Sequence, residues 1–357
     1  MMQTDTKPMK PITGNRLEFI DALRGLTIIL VVYSHLITHY SPVAAPSQLN
    51  HIFIGFRMPL FFFISGFFVF TLDYSAELFR KRAFNRIVRQ LYPTLLMFAL
   101  FCWCFMGSRF LRGVLHPGKY GYWFTLTAVE FFFITTPLLL LLSRAKNIGR
   151  LRYNLCLLAY TALMQFILWT LFKNAGKIGN IAGVSQLFSY FLFFMGGVIF
   201  KYNFDTLHSI VVKKWFTLLA FVGFLVCFYF FKGFPNKVLY GFLAIAVLYG
   251  LAYGVFRSQR VIGSRCARGL CYLGKMTLEI YLLHYFVIYL LRTYTDRHWI
   301  VSHINAPWEF PMLFGISIAT ALICLGTVYL LKRLRVYGII FPQAKKKSAP
   351  KVFACES

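Results

Sequence analysis

Apolar residues fall in ten long runs with short polar stretches between them, at roughly 22–38, 52–72, 91–106, 122–142, 154–172, 184–200, 215–231, 238–256, 272–291 and 310–331. At 1.5 Å rise per residue, each run approaches the ~20 residues that cross a ~30 Å hydrocarbon layer. None shows the ten-residue alternation of a membrane barrel strand. In hydrocarbon, backbone polar groups must be satisfied internally, so such runs are helices. The pattern predicts an all-α polytopic membrane protein of about ten transmembrane helices with no soluble domain. It divides into an N-terminal tail (1–21), a transmembrane domain (22–335) and a basic C-terminal tail (336–357) that carries Lys345, Lys346 and Lys347.

Composition removes the soluble alternatives. The chain is 59% hydrophobic and 14% charged, whereas soluble domains carry about 45–50% apolar and about 25% charged residues. There are 38 Lys and Arg against 11 Asp and Glu, a net charge of +27. In a soluble protein that excess would point to nucleic acid. In a membrane protein it marks loops that face anionic lipid, so lipid and not nucleic acid is the expected partner. With the N-terminus in the cytoplasm, 26 basic residues fall on that side and nine on the other. Both termini are therefore expected inside, with 80–89 as a cytoplasmic basic loop. Residues 1–20 are polar and no small-residue cleavage site follows the first apolar run, so no cleavable signal is expected. The cysteines are scattered, with neither zinc spacing nor a disulfide framework, and no metal is expected.

Ionisable residues within the membrane are costly and point to function. The candidates are Arg24 and His35 in the first run, Arg57 in the second, Glu130 in the fourth, and Lys275, Glu279 and His284 in the ninth. Helical rise puts His35 and His284 ~18 Å from the cytoplasmic edge, Glu130 ~17 Å and the polar Gln165 ~16 Å, a single layer near the midplane. The eleven-residue step from Arg24 to His35 turns the helix to within ~20° of three full turns, so both lie on one face ~16 Å apart. In the second run, Pro59 frees backbone carbonyls, and Ser65-Gly66 permits close approach of another helix. Arg82, Arg86 and Arg89 fall at i, i+4 and i+7, a stripe suited to phosphate as well as to setting topology.

In order and spacing, these residues resemble the acyltransferase-3 family of integral membrane acyltransferases. The resemblance rests on Arg24 with ten residues before His35, on Phe61-Phe62-Phe63-Ile64-Ser65-Gly66, on Arg86-x-x-Arg89 and on Ile280-Tyr281-Leu282-Leu283-His284. Ile20-Asp21-Ala22-Leu23-Arg24-Gly25 is similar to the family's opening segment. Met58 to Gly66 is most similar to the fucose 4-O-acetylase-like branch, many of whose members have histidine where this chain has Arg57.

The resemblance implies transfer of an acyl group, most often acetyl, from cytoplasmic acyl-CoA to a sugar hydroxyl. The acceptor would be a surface or exported glycan, or its lipid-linked precursor, at the plasma (bacterial inner) membrane. His35 would be the base or the acyl carrier, because a sugar hydroxyl needs a proton acceptor that titrates near neutrality. Arg24 would orient the thioester arm, and Arg82, Arg86 and Arg89 would hold the coenzyme A phosphates. Glu130 and His284 would assist His35, while Arg57, Gln165 and Ser65 would contact substrate. The alternative is a transporter or flippase for a lipid-linked sugar or acyl donor, but the chain shows none of the paired halves or matched helix breaks common in such proteins.

Overall fold

The computed structural model of the chain describes residues 18–40, 47–116, 118–145, 148–230, 233–258, 261, 263–295 and 297–342. Each of the ten apolar runs is mainly helical over its described residues. The principal helices are α1 (Glu18–Tyr40), α2 (Gln48–Val69), α3 (Ala76–Arg86), α4 (Tyr92–Phe105), α5 (Trp123–Arg144), α6 (Arg150–Asn174), α7 (Val184–Tyr202), α8 (Phe204–Val211), α9 (Lys214–Phe230), α10 (Phe234–Phe256), α11 (Arg265–Lys275), α12 (Thr277–Tyr294) and α13 (Glu309–Arg333). Among the described residues there is no strand. Eight helical stretches are long and apolar enough to cross a membrane, with α3 and α4 counted together as Ala76–Phe105. They become nine if α8 and α9, bent by 76°, form one span. The 18-residue α12 falls below that measure because it carries Glu279, His284 and Arg292.

Three boundaries differ from the sequence expectation. The first helix starts at Glu18, inside the expected tail, and residues 1–17 and 343–357 (with Lys345, Lys346 and Lys347) lie outside the described residues. The ninth run breaks at Met276 into α11 and α12. The largest difference concerns 80–89, which is no loop. The basic stretch is the body of α3 and continues into α4 through a π-helical turn at Ile87–Leu91, where the Tyr92 N–H donates to the Ile87 carbonyl five residues back. Pro93 has no N–H to offer the Arg89 carbonyl, so the regular ladder cannot pass through this point unchanged. The charges looked like a loop because hydropathy registers each head group and not the aliphatic stem that packs beneath it.

Glycines set the closest helix crossings. A Cβ on Gly66 would lie 1.9 Å from the Phe194 carbonyl oxygen, and one on Gly197 would lie 1.9 Å from that of Phe63, so α2 and α7 meet backbone to backbone. Gly25 and Gly274 do the same where α1 crosses α11. This is the close approach that small residues allow between membrane helices. α1 is the most enclosed helix, surrounded by α2, α10, α11, α12 and α13. α6 lies at the periphery, with only Tyr153, Leu157, Thr161 and Leu168 buried along one stripe. Exposed Trp103, Leu163, Phe166 and Phe230 form part of an outer apolar surface suited to lipid.

Candidate active site

Three helices present their polar residues as parallel stripes. On α1, Arg24 and His35 share a face. On α2, Arg57, Phe61, Ser65 and Phe68 recur at one turn or slightly less. On α12, Thr277, Leu278, Tyr281, His284 and Tyr285 do likewise. Where the lower parts of these stripes face one another, the helices enclose a cavity of about 350 Å³, lined among others by Arg24, Ser65, Arg86, Gln90, Thr125 and Tyr281. Ser65 lines it while its hydroxyl donates to the Phe61 carbonyl at 2.8 Å. A second cavity of about 370 Å³ adjoins it and shares Phe68, Arg86, Gln90 and Leu278; Arg82, Asn85 and Arg89 line its far side. All three arginines of the basic stripe therefore line one of two adjoining cavities, and Arg86 stands in the wall between them.

The π turn places the shared wall. Arg86 donates to Gln90 Oε1 at 2.6 Å, and Gln90 donates in turn to the Thr125 carbonyl at 3.2 Å. The Arg86 guanidinium also lies over the Phe132 ring, 5.5 Å from its centroid. Arg82 donates to the Val69 carbonyl at 2.7 Å and lies over Tyr74, while Arg89 is exposed. Arg24 is 3.7 Å from Asp21, one turn back on α1. π-helical turns are often found at functional sites, and here the turn brings Gln90 to the cavity wall.

Beyond Tyr281, on the side away from the arginine cavity, stand the two histidines. The ring centroids of His35 and His284 are 5.3 Å apart. The Tyr285 hydroxyl lies 2.9 Å from His35 Nδ1 and 3.1 Å from Nε2. His284 is fully buried, its Nδ1 is 3.2 Å from the Ile280 carbonyl, and its Nε2 has no hydrogen-bond partner. Arg57 reaches from α2 toward α1, where Nη1 lies 3.5 Å and 3.4 Å from the Leu30 and Val31 carbonyls. It is close enough to both histidines and to Tyr190, Tyr281 and Tyr285 for its charge to bear on them.

The segment before α5 fixes the tyrosines. Tyr281 donates to the Gly121 carbonyl and accepts from the Phe124 N–H at 3.2 Å, and Tyr122 donates to the Leu282 carbonyl at 3.1 Å. Gly121 has φ +96°, and a Cβ there would lie 1.8 Å from the Tyr285 hydroxyl. Only glycine satisfies both demands. Just outside this segment, burial holds the Lys119 ammonium below its ordinary pKa, with Glu130 acting in the opposite sense. The Lys119 head group donates to the Val114 and Asn180 carbonyls.

The expected single layer of four polar groups therefore reduces to His35 and His284. Gln165 donates to the Phe188 carbonyl at 3.0 Å and lines a peripheral groove with Leu158, Phe166 and Trp169. Glu130 is half-buried, and the charge that acts on it is Lys119, not His35. Its depth was reckoned from an outer start of the fourth run. Thr125, in the first turn of α5, instead lines the cavity beside Arg24, so the helix begins deep in the bundle. Axial depth leaves the direction around the helix open, and that direction separates these residues.

Tyr285 and Gln90 are absent from the sequence expectation, and Tyr281 enters it only within the Ile280–His284 motif, without a role. The four-residue step from Tyr281 to Tyr285, flanking His284 on an apolar helix, was the available signal for the tyrosines.

The family model described as acyltransferase domain matches residues 17–326. No curated protein and no solved structure matches the chain.

Proposed function

Because the chain belongs to the acyltransferase-3 family and is a membrane acyltransferase, we propose that it moves an acyl group, most simply acetyl, from cytoplasmic acyl-CoA to a sugar hydroxyl. The acceptor is a surface or exported glycan or its lipid-linked precursor, in a relative of the fucose 4-O-acetylase-like branch. The protein sits in the plasma (bacterial inner) membrane with both termini cytoplasmic. The observation that carries this reading is the arginine-lined space that ends at Tyr281, with the His35 centre directly behind it. Coenzyme A is polyanionic at one end and carries its reactive carbonyl at the end of a long thin arm. Arg82, Arg86 and Arg89 offer charge-assisted donors to its phosphates. The arm passes Gln90, Ser65 and Arg24, which brings the thioester to Tyr281.

His35 acts as general base on the acceptor hydroxyl, with Tyr285 holding its ring. It is half-buried, so one side stays open to an acceptor, whereas fully buried His284 supports it from behind. Such a base contributes about 10²–10⁴ in rate. The direct test has two arms. Membrane vesicles carrying the protein should turn over acyl-CoA, with release of free coenzyme A thiol. Cells lacking it should lose O-acyl groups from their purified surface polysaccharide. Vesicles that turn over no acyl-CoA, from acetyl to longer chains, would refute the reading.

A further inference from the structure

Arg57 is a cation inside the bundle for which no carboxylate is close. The one ion pair between side chains among the described residues joins Arg24 to Asp21, and the titratable groups nearest Arg57 include the neutral phenols Tyr190, Tyr285 and Tyr281. Its Nε is buried without a hydrogen-bond partner. Nη1 rests at 3.4–3.5 Å on the carbonyls of Leu30 and Val31, on the turn of α1 that leads to His35. A guanidinium carries five N–H donors in a fixed fork, so docking Nη1 on α1 leaves donors of the fork without a partner. A partly buried cation inside a membrane bundle without a counter-charge is costly to keep. The cost is offset if negative charge forms beside it during the reaction.

We infer that Arg57 is a catalytic residue that stabilises the oxyanion of the acyl-transfer intermediate. This rests on the proposed acyl-CoA chemistry and adds to it the group that receives the charge. Arg57 stands one helical turn beyond Phe61, which lines the donor cavity, and on the same face of α2. On this inference a carbonyl that passes Tyr281 is held between Arg57 and His35. The acceptor oxygen attacks the thioester carbon and forms a C–O bond while His35 takes its proton. The carbonyl π pair moves onto oxygen, and the resulting oxyanion accepts hydrogen bonds from Arg57. Collapse restores the carbonyl, breaks the C–S bond and expels the thiolate, which leaves as the thiol with the proton from the His35 imidazolium. No oxidant, reductant or metal is consumed.

Preorganised donors of this kind are typically worth 10²–10³ in kcat. The test uses Arg57→Gln and Arg57→Lys at matched membrane expression, with acetyl-CoA as probe. Two rates are read, transfer to the endogenous acceptor in native vesicles and hydrolysis of acetyl-CoA by purified, acceptor-free protein. Water and sugar attack pass through the same oxyanion. Arg57→Gln should therefore lower both rates by roughly 10²–10³, with KM for acetyl-CoA and binding of the non-transferable thioether acetonyl-CoA unchanged. Arg57→Lys should recover part of both. The inference is overturned if hydrolysis survives while transfer is lost, because Arg57 would then bind an anionic acceptor. It is equally overturned if KM rises at unchanged kcat, or if acetonyl-CoA binding is lost in both variants. Failure of the acyl-CoA reading itself is separate, because the wild-type protein would then turn over no acyl-CoA.

Discussion

Two buried polar clusters flank α1, and they differ in one respect. At one end, Glu309 is 1% exposed and fully engaged. It accepts from the Tyr33 hydroxyl at 2.6 Å, from the Ser47 hydroxyl and from the Asn305 N–H at 2.5 Å. Ser47 in turn accepts from the Asn50 N–H and caps α2, and Asn50 meets Ser34. Only two residues on from Tyr33, but about 200° around α1, lies the His35 centre, where Nε2 of His284 and Nε of Arg57 are buried without partners. Native proteins satisfy nearly all buried polar atoms, and the exceptions call for an explanation. The Glu309 cluster fastens α1, α2 and α13 together. The His35 centre keeps open valences that a structural cluster would have closed, as expected of a site whose missing partners are substrates. Partnering separates these two clusters, although single unpartnered atoms also occur on Gln165, Glu130 and Tyr153 away from the His35 centre.

The contrast breaks most sharply at His35. His35→Ala and His35→Gln should each lower transfer by about 10²–10⁴ while acetonyl-CoA binding and thermal stability hold, because Gln keeps hydrogen-bonding capacity but cannot titrate. A Gln variant with wild-type transfer would make His35 a structural residue and move the base to His284. The Glu309 cluster should respond in the opposite way. Glu309→Ala strands the Tyr33 and Ser47 hydroxyls and the Asn305 N–H, at a cost of about 3 kcal/mol. Thermal unfolding in detergent should register that loss, while turnover per folded molecule stays the same. Full stability in this variant would remove the basis of the comparison.

His284 sharpens the distinction, because it is as buried as Glu309 yet incompletely partnered. His284→Leu, close in volume, removes the unpartnered Nε2 together with the 3.2 Å contact of Nδ1 to the Ile280 carbonyl, so stability should fall by no more than about 1 kcal/mol. Transfer should still fall roughly tenfold, about 1.4 kcal/mol of barrier, because the His35 ring loses its neighbour. A large loss of stability with intact turnover would assign His284 to the architecture.

Much of this organisation is legible in the sequence, because hydrophobic run length fixes helices and helical period fixes shared faces. The all-helical membrane fold, the Arg24–His35 stripe and the close approach at Gly66 follow from such local rules, whereas the expected ten spans become eight or nine. What escapes them is direction around the bundle axis. Gln165 turns toward the periphery, Glu130 sits on a helix that begins deep in the bundle, and nothing local to either residue encodes which neighbour a helix face meets. Glu309 escaped for a different reason. It lies at the first position of its helix, where a carboxylate ordinarily meets water, and only the tertiary fold shows that Tyr33 and Ser47 cover it.

The smallest expected effect tests the stripe mistaken for a loop. If 80–89 were a solvated loop, Arg86→Ala and Arg89→Ala would behave alike and neither would affect stability. The structure separates them. Arg89 is exposed, so its loss should leave stability unchanged and weaken acetonyl-CoA binding only about two- to fivefold, the scale of one screened surface contact. That difference should shrink as salt rises. Arg86 is bonded to Gln90 and lies over Phe132. Removing it should cost about 1–2 kcal/mol of stability in addition to donor affinity, because Gln90 loses its partner at the π turn. Arg86→Lys should restore most of the binding but not the stability, since an ammonium supplies charge without the planar fork that spans Gln90 and the ring. Equal behaviour of the two alanine variants in thermal unfolding would return the stretch to a purely topogenic role, and unchanged binding in both would place the donor phosphates elsewhere.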